Sequence, residues 1–124
     1  MKMQPMTFEE ILAADDLVPD VNSSGWKSVE ELGRVYTADI KRRLKTEFPE
    51  EASRFSKKTL VGVGLVLAQM EQHRSFFGMP SCVPIHADLY IASTAKVKGL
   101  DAEKLYRDFD DLMVMFGYAC KGVE

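Results

Sequence analysis

The residue types best suited to chemistry lie in one stretch near the middle of the chain, RSFFGMPSCVPIHADLYIAST, residues 74–94. Cys82 and His86 lie within it, and the second histidine, His73, comes immediately before it. A cysteine nucleophile needs an imidazole within about 3 Å of its sulfur and a neighbouring group that lowers the thiol pKa. The spacing of Cys82 and His86 does not establish such a pair, and a cysteine among apolar residues is more often a packed thiol. We therefore predict no catalytic residue and a protein that is not an enzyme.

Metal binding is not predicted either. A zinc site needs three or four His, Cys, Asp or Glu ligands that converge tetrahedrally. The sequence contains no CxxC, HxxxH or HExxH motif that would bring two ligands together locally. A lone histidine beside a loop is more often a surface or capping residue, so the sequence implies no metal and no cofactor.

The cellular location follows from the cysteines and the first ten residues. Cys82 and Cys120 are the only cysteines, so a disulfide framework is unlikely and reduced thiols are expected. The N-terminus, MKMQPMTFEE, places acidic residues where a secretory signal would have its apolar core. These features predict a cytoplasmic protein.

The composition is that of an ordinary globular domain, with 124 residues, 46% hydrophobic and 28% charged. A chain of this length accommodates one core rather than two. The longest apolar run, residues 60–68, is too short to cross a bilayer, which needs about 20 residues, so no membrane partner is expected. The net charge of −3 lacks the basic excess of many nucleic-acid-binding proteins. It counts against DNA or RNA without excluding either.

The first 25 residues are predicted to form a short helix and a flexible loop. Thr7-Phe-Glu-Glu10 matches a capping box, in which the Thr and Glu side chains satisfy backbone donors at a helix start. The residues that follow, up to Gly25, include Pro, Asn and Ser, which favour turns. Residues 26–124 are then expected to form a single helical domain, with Trp26 anchored on its surface.

Four helices are predicted in that domain. A second capping box at Ser28 begins a helix with apolar residues every three or four positions, and cations at 41–45 on its solvated face. TLVGVGLVLAQMEQHR, from Thr59, is ambiguous between strand and helix, and its length and polar end favour a helix whose glycines permit close packing. A short helix ended by Gly99 and another capped by Asp101 complete the pattern.

The short apolar run formed by Phe76, Phe77, Met79 and Val83 is predicted to adopt a different structure. Glycine and proline interrupt it, so it is too short for a helix and unsuited to a central strand. An edge strand fits better, and such a strand can pair with its own copy. We therefore predict a mainly α fold with one short β element, and a homodimer whose interface is formed by Phe76, Phe77, Met79 and Pro80.

The order of these elements resembles the Mor family of phage middle-operon transcription activators. Phe77-Gly-Met-Pro80 takes the place of the family's short strand, and Gly99, Asp101, Leu105 and Phe109 match the opening of its helix-turn-helix unit. Asp101 stands where the family has Asn, and Phe109 where it has Tyr. The similarity extends over residues 28–121.

This resemblance implies a phage or mobile-element transcription regulator that binds duplex DNA as a dimer and positions RNA polymerase. Residues 26–85 would form the dimerisation part and residues 86–124 a helix-turn-helix-like part. The expected phosphate contacts are the cations of the C-terminal part: Lys96, Lys98, Lys104, Arg107 and Lys121.

A second hypothesis from another functional class is a small helical protein-binding module or inhibitor that does not bind DNA. The acidic balance of the chain favours it. So does the segment at 111–120, DLMVMFGYAC, because a recognition helix normally presents basic or amide side chains to DNA.

Overall fold

A computed structural model of the chain describes residues 20–77 and 87–116. Within these ranges there is no β-strand, and the mainly α fold is confirmed. The described elements are four α-helices and one 3-10 turn at Ala52–Arg54: α1 (Ser24–Glu47), α2 (Lys57–Phe77), α3 (Ala87–Lys98) and α4 (Ala102–Phe116).

Helix α1 begins five residues earlier than the sequence predicted. Its cap is Ser23, whose Oγ accepts a hydrogen bond from the backbone N–H of Trp26 at 3.1 Å. The predicted cap, Ser28, lies inside the helix. Trp26 is 5% exposed and packs in the core with Val29, so its assignment to the domain surface was wrong. Burial of the large apolar ring is favourable, and the residues just before Trp26 are part of the helix.

The close contact between α1 and α2 depends on two glycines. A Cβ atom on Gly64 would lie 2.7 Å from the backbone oxygen of Gly33 and would also overlap Thr37 Oγ1. Thr37 Oγ1 donates to the Gly33 carbonyl at 2.8 Å, so the hydroxyl is satisfied inside this contact. Thr37 also lies near the Leu60 carbonyl, so the register shows that α1 and α2 run antiparallel. The prediction that α2 is a helix with close-packing glycines is confirmed.

Helix α2 lies at the centre of the fold and packs against each of the other three α-helices. Gln69 of α2 donates to Thr94 Oγ1 of α3 at 2.7 Å, and Thr94 is completely buried. The core cluster draws on every α-helix, through residues such as Ile40, Val66 and Leu112. The described residues of both predicted parts, 26–85 and 86–124, therefore share one core.

A three-residue turn joins α3 to α4. Gly99 has a φ of +66°, a left-handed conformation that suits glycine at a helix end. The Leu100 N–H donates to the Ala95 carbonyl at 2.9 Å, and Asp101 Oδ1 accepts from the Lys104 N–H at 3.1 Å. Both predicted helix boundaries are confirmed. Helix α4 continues without a break to Phe116.

The predicted edge strand is wrong at its first two residues. Phe76 and Phe77 are the last two residues of α2. The helical backbone continues past them because the nearest breakers, Gly78 and Pro80, come later in the chain. Met79 and Pro80 lie outside the described residues, as does the short helix predicted near residues 7–15.

Candidate anion-binding groove

One face of α1 carries small side chains between charged ones and forms a wall of a groove. Gly33, Thr37 and Ala38 supply the small side chains, and Arg34 and Lys41 lie on the same face because they are seven residues apart. The small residues leave open space beside α2 that larger side chains would fill. Arg34 and Lys41 are both exposed at its margin.

The first two turns of α2 supply the floor and a second set of cations. Val61 and Leu65 line the floor, and Val61 is 36% exposed. Lys57 and Lys58 are exposed in the first turn of the helix, where the chain has no acidic residue. The α2 side of the groove is therefore apolar at its base and cationic at its margin.

Lys98 joins two compartments of this groove. One compartment has a volume of about 410 Å³ and is lined mainly by α1 and α2. The other has a volume of about 280 Å³ and is lined by Lys57, Lys58, Val61, Lys98 and Leu100. Because Val61 and Lys98 line both, the two compartments are adjacent. The left-handed turn at Gly99 places Leu100 beside Lys98 in the second compartment.

The charge around the groove is strongly one-sided. The lining cations are Arg34, Lys41, Lys57, Lys58 and Lys98, and the only lining acid is Glu30. Within the described part of the chain, none of these five cations forms an ion pair. By contrast, Arg43 and Arg54 each pair with a nearby carboxylate. A local cation excess in a chain of net charge −3 attracts anions to this face.

The position of Lys57 and Lys58 does not favour folding. The N-terminal turn of a helix carries partial positive charge, so acids stabilise it and cations destabilise it. Ser56 caps α2 with its Oγ accepting from the Thr59 N–H at 3.1 Å, and two lysines then follow where an acid would be favourable. Residues whose type or charge is unfavourable at their position, and which gain no stabilising contact in return, commonly serve a function. The lysine pair is therefore the strongest single indication of a site.

The structure separates the five predicted DNA contacts. Lys98 lines the groove. Lys96, which precedes Val97 on the same helix, is half-buried. Lys104 and Arg107 are exposed on α4, and Lys104 Nζ pairs with Asp108 Oδ2 at 2.7 Å. Lys121 lies outside the described residues.

Helix α4 has a mixed surface rather than a basic one. Its exposed cations, Lys104 and Arg107, lie among the acids Glu103, Asp110 and Asp111. Arg54 of the 3-10 turn pairs with Asp111 Oδ2 at 3.2 Å, which ties the second half of α4 to the domain. The acids of that half would repel a phosphate backbone, so only the first turns of α4 suit contact with an anion.

The sequence analysis missed four of the groove cations. Lys41 was assigned to a solvated face, and Arg34, Lys57 and Lys58 were not singled out. A signal was present in SKK at residues 56–58, where a capping serine is followed by two cations instead of acids. The arrangement of the four around Lys98 depends on helix packing, which no local pattern reveals.

Within residues 20–77 and 87–116, the remaining polar groups form no second candidate site. Burial raises the pKa of the Asp88 carboxyl, and a hydrogen bond from Tyr106 partly opposes that rise. Within the described ranges, no three His, Cys, Asp or Glu side chains are grouped so that they could hold a metal ion. The two cysteines and His86 lie outside those ranges.

Comparisons with protein-family models, curated proteins and solved structures find no match for this chain. Among the described helices, none has both the length and the apolar character required to cross a membrane.

Proposed function

We propose that this chain is a DNA-binding regulator that contacts duplex phosphates through the cationic groove. The observation that carries the proposal is the cluster of five cations, free of ion pairs within the described residues, around the two adjacent compartments of the groove. Lysine and arginine side chains that neutralise phosphates release condensed counterions, which supplies most of the sequence-independent affinity for DNA. Such contacts position a protein on the duplex and do not themselves read the sequence.

The start of α4 lies close enough to the groove to extend the same interface. A Cβ atom on Gly62 would touch Leu100 and Leu105, so the turn between α3 and α4 packs directly on α2. Lys104 precedes Leu105, and Arg107 follows on the exposed side of the helix. In our proposal, the groove cations bind phosphates while Lys104 and Arg107 approach the neighbouring backbone or base edges.

The proposed regulator acts as a homodimer in the cytoplasm and positions RNA polymerase, as the resemblance to the Mor family implies. The dimer would use residues at and after the end of α2, including Phe77. Light scattering of the wild type and of the Phe77→Asp variant tests this part. A wild-type dimer that becomes a monomer in the variant supports it, and two monomers contradict it.

The test of DNA binding is a mobility shift on random-sequence duplex DNA over a salt series from 50 to 200 mM. Phosphate-driven binding weakens steeply over about this range, and each lost contact lowers the slope of log K against log salt by about 0.9. The Lys57→Ala/Lys98→Ala variant should therefore reduce the slope by about two and weaken binding to every sequence alike.

Two further double variants serve as matched comparisons. Arg42→Ala/Lys45→Ala removes the same charge from α1 outside the groove and should bind nearly as the wild type does. Lys104→Ala/Arg107→Ala tests the start of α4. If the wild type does not bind DNA near 50 mM salt, the proposal is wrong. If only the α4 variant loses affinity, DNA lies on α4 and the groove is not the site.

A second candidate function is recognition of an acidic protein segment. The specific observation in its favour is the apolar floor, because Val61 and Leu100 would contact apolar side chains but offer little to a phosphate backbone. A titration with a synthetic amphipathic acidic peptide separates the two. Peptide binding that Lys57→Ala/Lys98→Ala abolishes, together with no DNA binding, would favour the protein-binding module.

A further inference from the structure

We infer that the N-terminal segment of the chain, residues 7–19, docks in the cationic groove and competes there with the anionic partner. This regulation rests on the proposed function of the groove. The groove has an apolar floor and a cationic margin, which is the complement of an acidic amphipathic segment. Residues 7–19 are such a segment.

The charges of the two surfaces are complementary. Residues 7–19 read TFEEILAADDLVP and contain four acids and no lysine or arginine. The groove presents five cations and one acid, and none of those cations is neutralised by an ion pair within the described residues. Partly desolvated carboxylates against free ammonium and guanidinium groups form charge-assisted contacts, which are stronger than neutral ones.

The apolar residues of the segment suit the floor. Phe8, Ile11 and Leu12 have the spacing of one helix face, and the capping box at Thr7 predicts a helix there. Val61 is exposed in the groove beside Leu65 and Leu100, without a described residue that covers it. An amphipathic helix in a groove would bury both sets together.

The length of chain before α1 is sufficient to reach the site. The α1 residues that line the groove lie between Glu30 and Lys41, roughly 9 to 26 Å along the helix from Ser24 at 1.5 Å per residue. The thirteen residues 7–19 span up to about 45 Å when extended. They span about 20 Å as a helix. Either form can run beside α1 over much of the groove.

The docked segment lowers the apparent affinity for DNA in proportion to its occupancy. If the groove is open in one-tenth of the molecules, the apparent dissociation constant rises about tenfold over that of an open groove. Neutralising the segment in the full chain should recover most of this factor. The variant is Glu9→Gln/Glu10→Gln/Asp15→Asn/Asp16→Asn, tested by mobility shift at low salt.

The matched control removes four acids that lie away from both the groove and α4 and changes the net charge equally: Glu31→Gln/Glu47→Gln/Glu50→Gln/Glu51→Gln. These side chains lie on the surface and do not line the groove. An affinity gain in the segment variant several-fold greater than in this control supports docking. Equal gains in both variants overturn the inference, because they would show only a change in net charge.

A direct readout of docking does not depend on DNA. A nitroxide label on Ala13→Cys, in a full chain with Cys82→Ser and Cys120→Ser, should broaden the amide signals of Val61 and Lys98 but not that of Val114. The four neutralising substitutions should remove the broadening. No broadening at the groove overturns the inference even if the protein binds DNA.

The same label identifies the occupant and separates the two proposals. Broadening that appears when labelled protein is mixed with isotope-enriched unlabelled protein would assign the groove to a second copy, which contradicts docking within one chain. Broadening within the chain, with no DNA binding by the wild type or the neutralised variant, would leave the docked segment established and the DNA-binding function wrong.

Discussion

At the scale of single residues, the fold depends most sharply on the contact between Gly33 and Gly64. The missing side chain at Gly64 allows α2 to lie directly against the Gly33 carbonyl and Thr37 of α1, and this contact sets the separation of the two helices. That separation also sets the width of the groove, because Gly33 and Thr37 line its wall. The residue that enables packing therefore shapes the candidate site.

We predict that Gly64→Ala destabilises the protein by about 1 to 3 kcal/mol, the usual cost of overpacking a core. The added methyl would overlap backbone, which cannot yield as a flexible side chain can. Urea unfolding followed by circular dichroism measures the change. Gly25→Ala is the control, because its Cβ meets nothing closer than 3.9 Å, and it should be neutral or stabilising. Equal effects of the two variants would contradict this role of Gly64.

Asp88 of α3 and Tyr106 of α4 form a hydrogen-bonded pair that links the two helices. Burial raises the pKa of the Asp88 carboxyl above its ordinary value of 3.8, while the Tyr106 hydroxyl donates a hydrogen bond that lowers it. Burial also raises the pKa of Tyr106, with further increases from the charges of Asp88 and Asp110. The ionised form of each group is disfavoured in the folded protein.

This arrangement predicts the sign of a pH effect. The folded protein binds the Asp88 proton more tightly than the unfolded chain does, so the stabilising contribution is complete below the unfolded pKa and is lost as the pH rises through the folded pKa. The stability of the wild type relative to Asp88→Asn should therefore decrease as the pH rises through the acidic range. Paired urea unfolding curves at several pH values measure this, and an increase would contradict it. Tyr106→Phe should raise the Asp88 pKa further in an NMR titration.

At the scale of secondary structure, the start of α2 combines a good cap with unfavourable charges. Ser56 supplies the cap, and Lys57 and Lys58 oppose the helix dipole. Their side chains line the groove, so helix α2 has unfavourable local charges at the place where it contributes cations to the candidate site. Function and stability should therefore respond to these two residues in opposite directions.

We expect Lys57→Glu/Lys58→Glu to raise the free energy of unfolding by about 0.5 to 2 kcal/mol at low salt, since each acid would favour the helix N-terminus by about 0.3 to 1 kcal/mol. The same variant should abolish DNA binding. Thermal unfolding and the mobility shift measure the two effects. Lys45→Glu is the control: it changes charge in the last turn of α1, where a cation is favourable, and should lower stability. A loss of stability in the α2 variant would contradict the dipole argument.

Most of the helices and their ends could be predicted from local sequence patterns, whereas the candidate site could not. The Asp101 cap, the Gly99 helix end and the helical period of α4 are local features, and the structure contains all three. Ser23 was missed because it lacks the glutamate three residues later that made Ser28 resemble a capping box. The groove was missed because Arg34, Lys57 and Lys98 come from three helices, and their proximity depends on packing.

At the scale of the whole molecule, the described helices share one hydrophobic core. Leu105 of α4 is 1% exposed and touches the position of a Gly62 Cβ, so it fills the space that glycine leaves on α2. The same cluster includes Leu44 of α1 and Ile91 of α3. A division into a dimerisation part and a DNA-binding part would therefore be functional, while the two parts share one hydrophobic core and should unfold together.

We predict that Leu105→Ala lowers the free energy of unfolding by about 2 to 5 kcal/mol, the usual cost of a large-to-small substitution in a core. Because the core is shared, hydrogen exchange should become faster by a similar factor in the slowest amides of α1 and of α4. Val114→Ala is the control, since Val114 is 61% exposed and its truncation should change stability by less than about 0.5 kcal/mol. Faster exchange confined to α3 and α4 would show that the C-terminal part unfolds independently. In that case the groove, which takes Lys98 from one part and Arg34 from the other, would be lost whenever α3 and α4 detach, even while α1 and α2 remain paired.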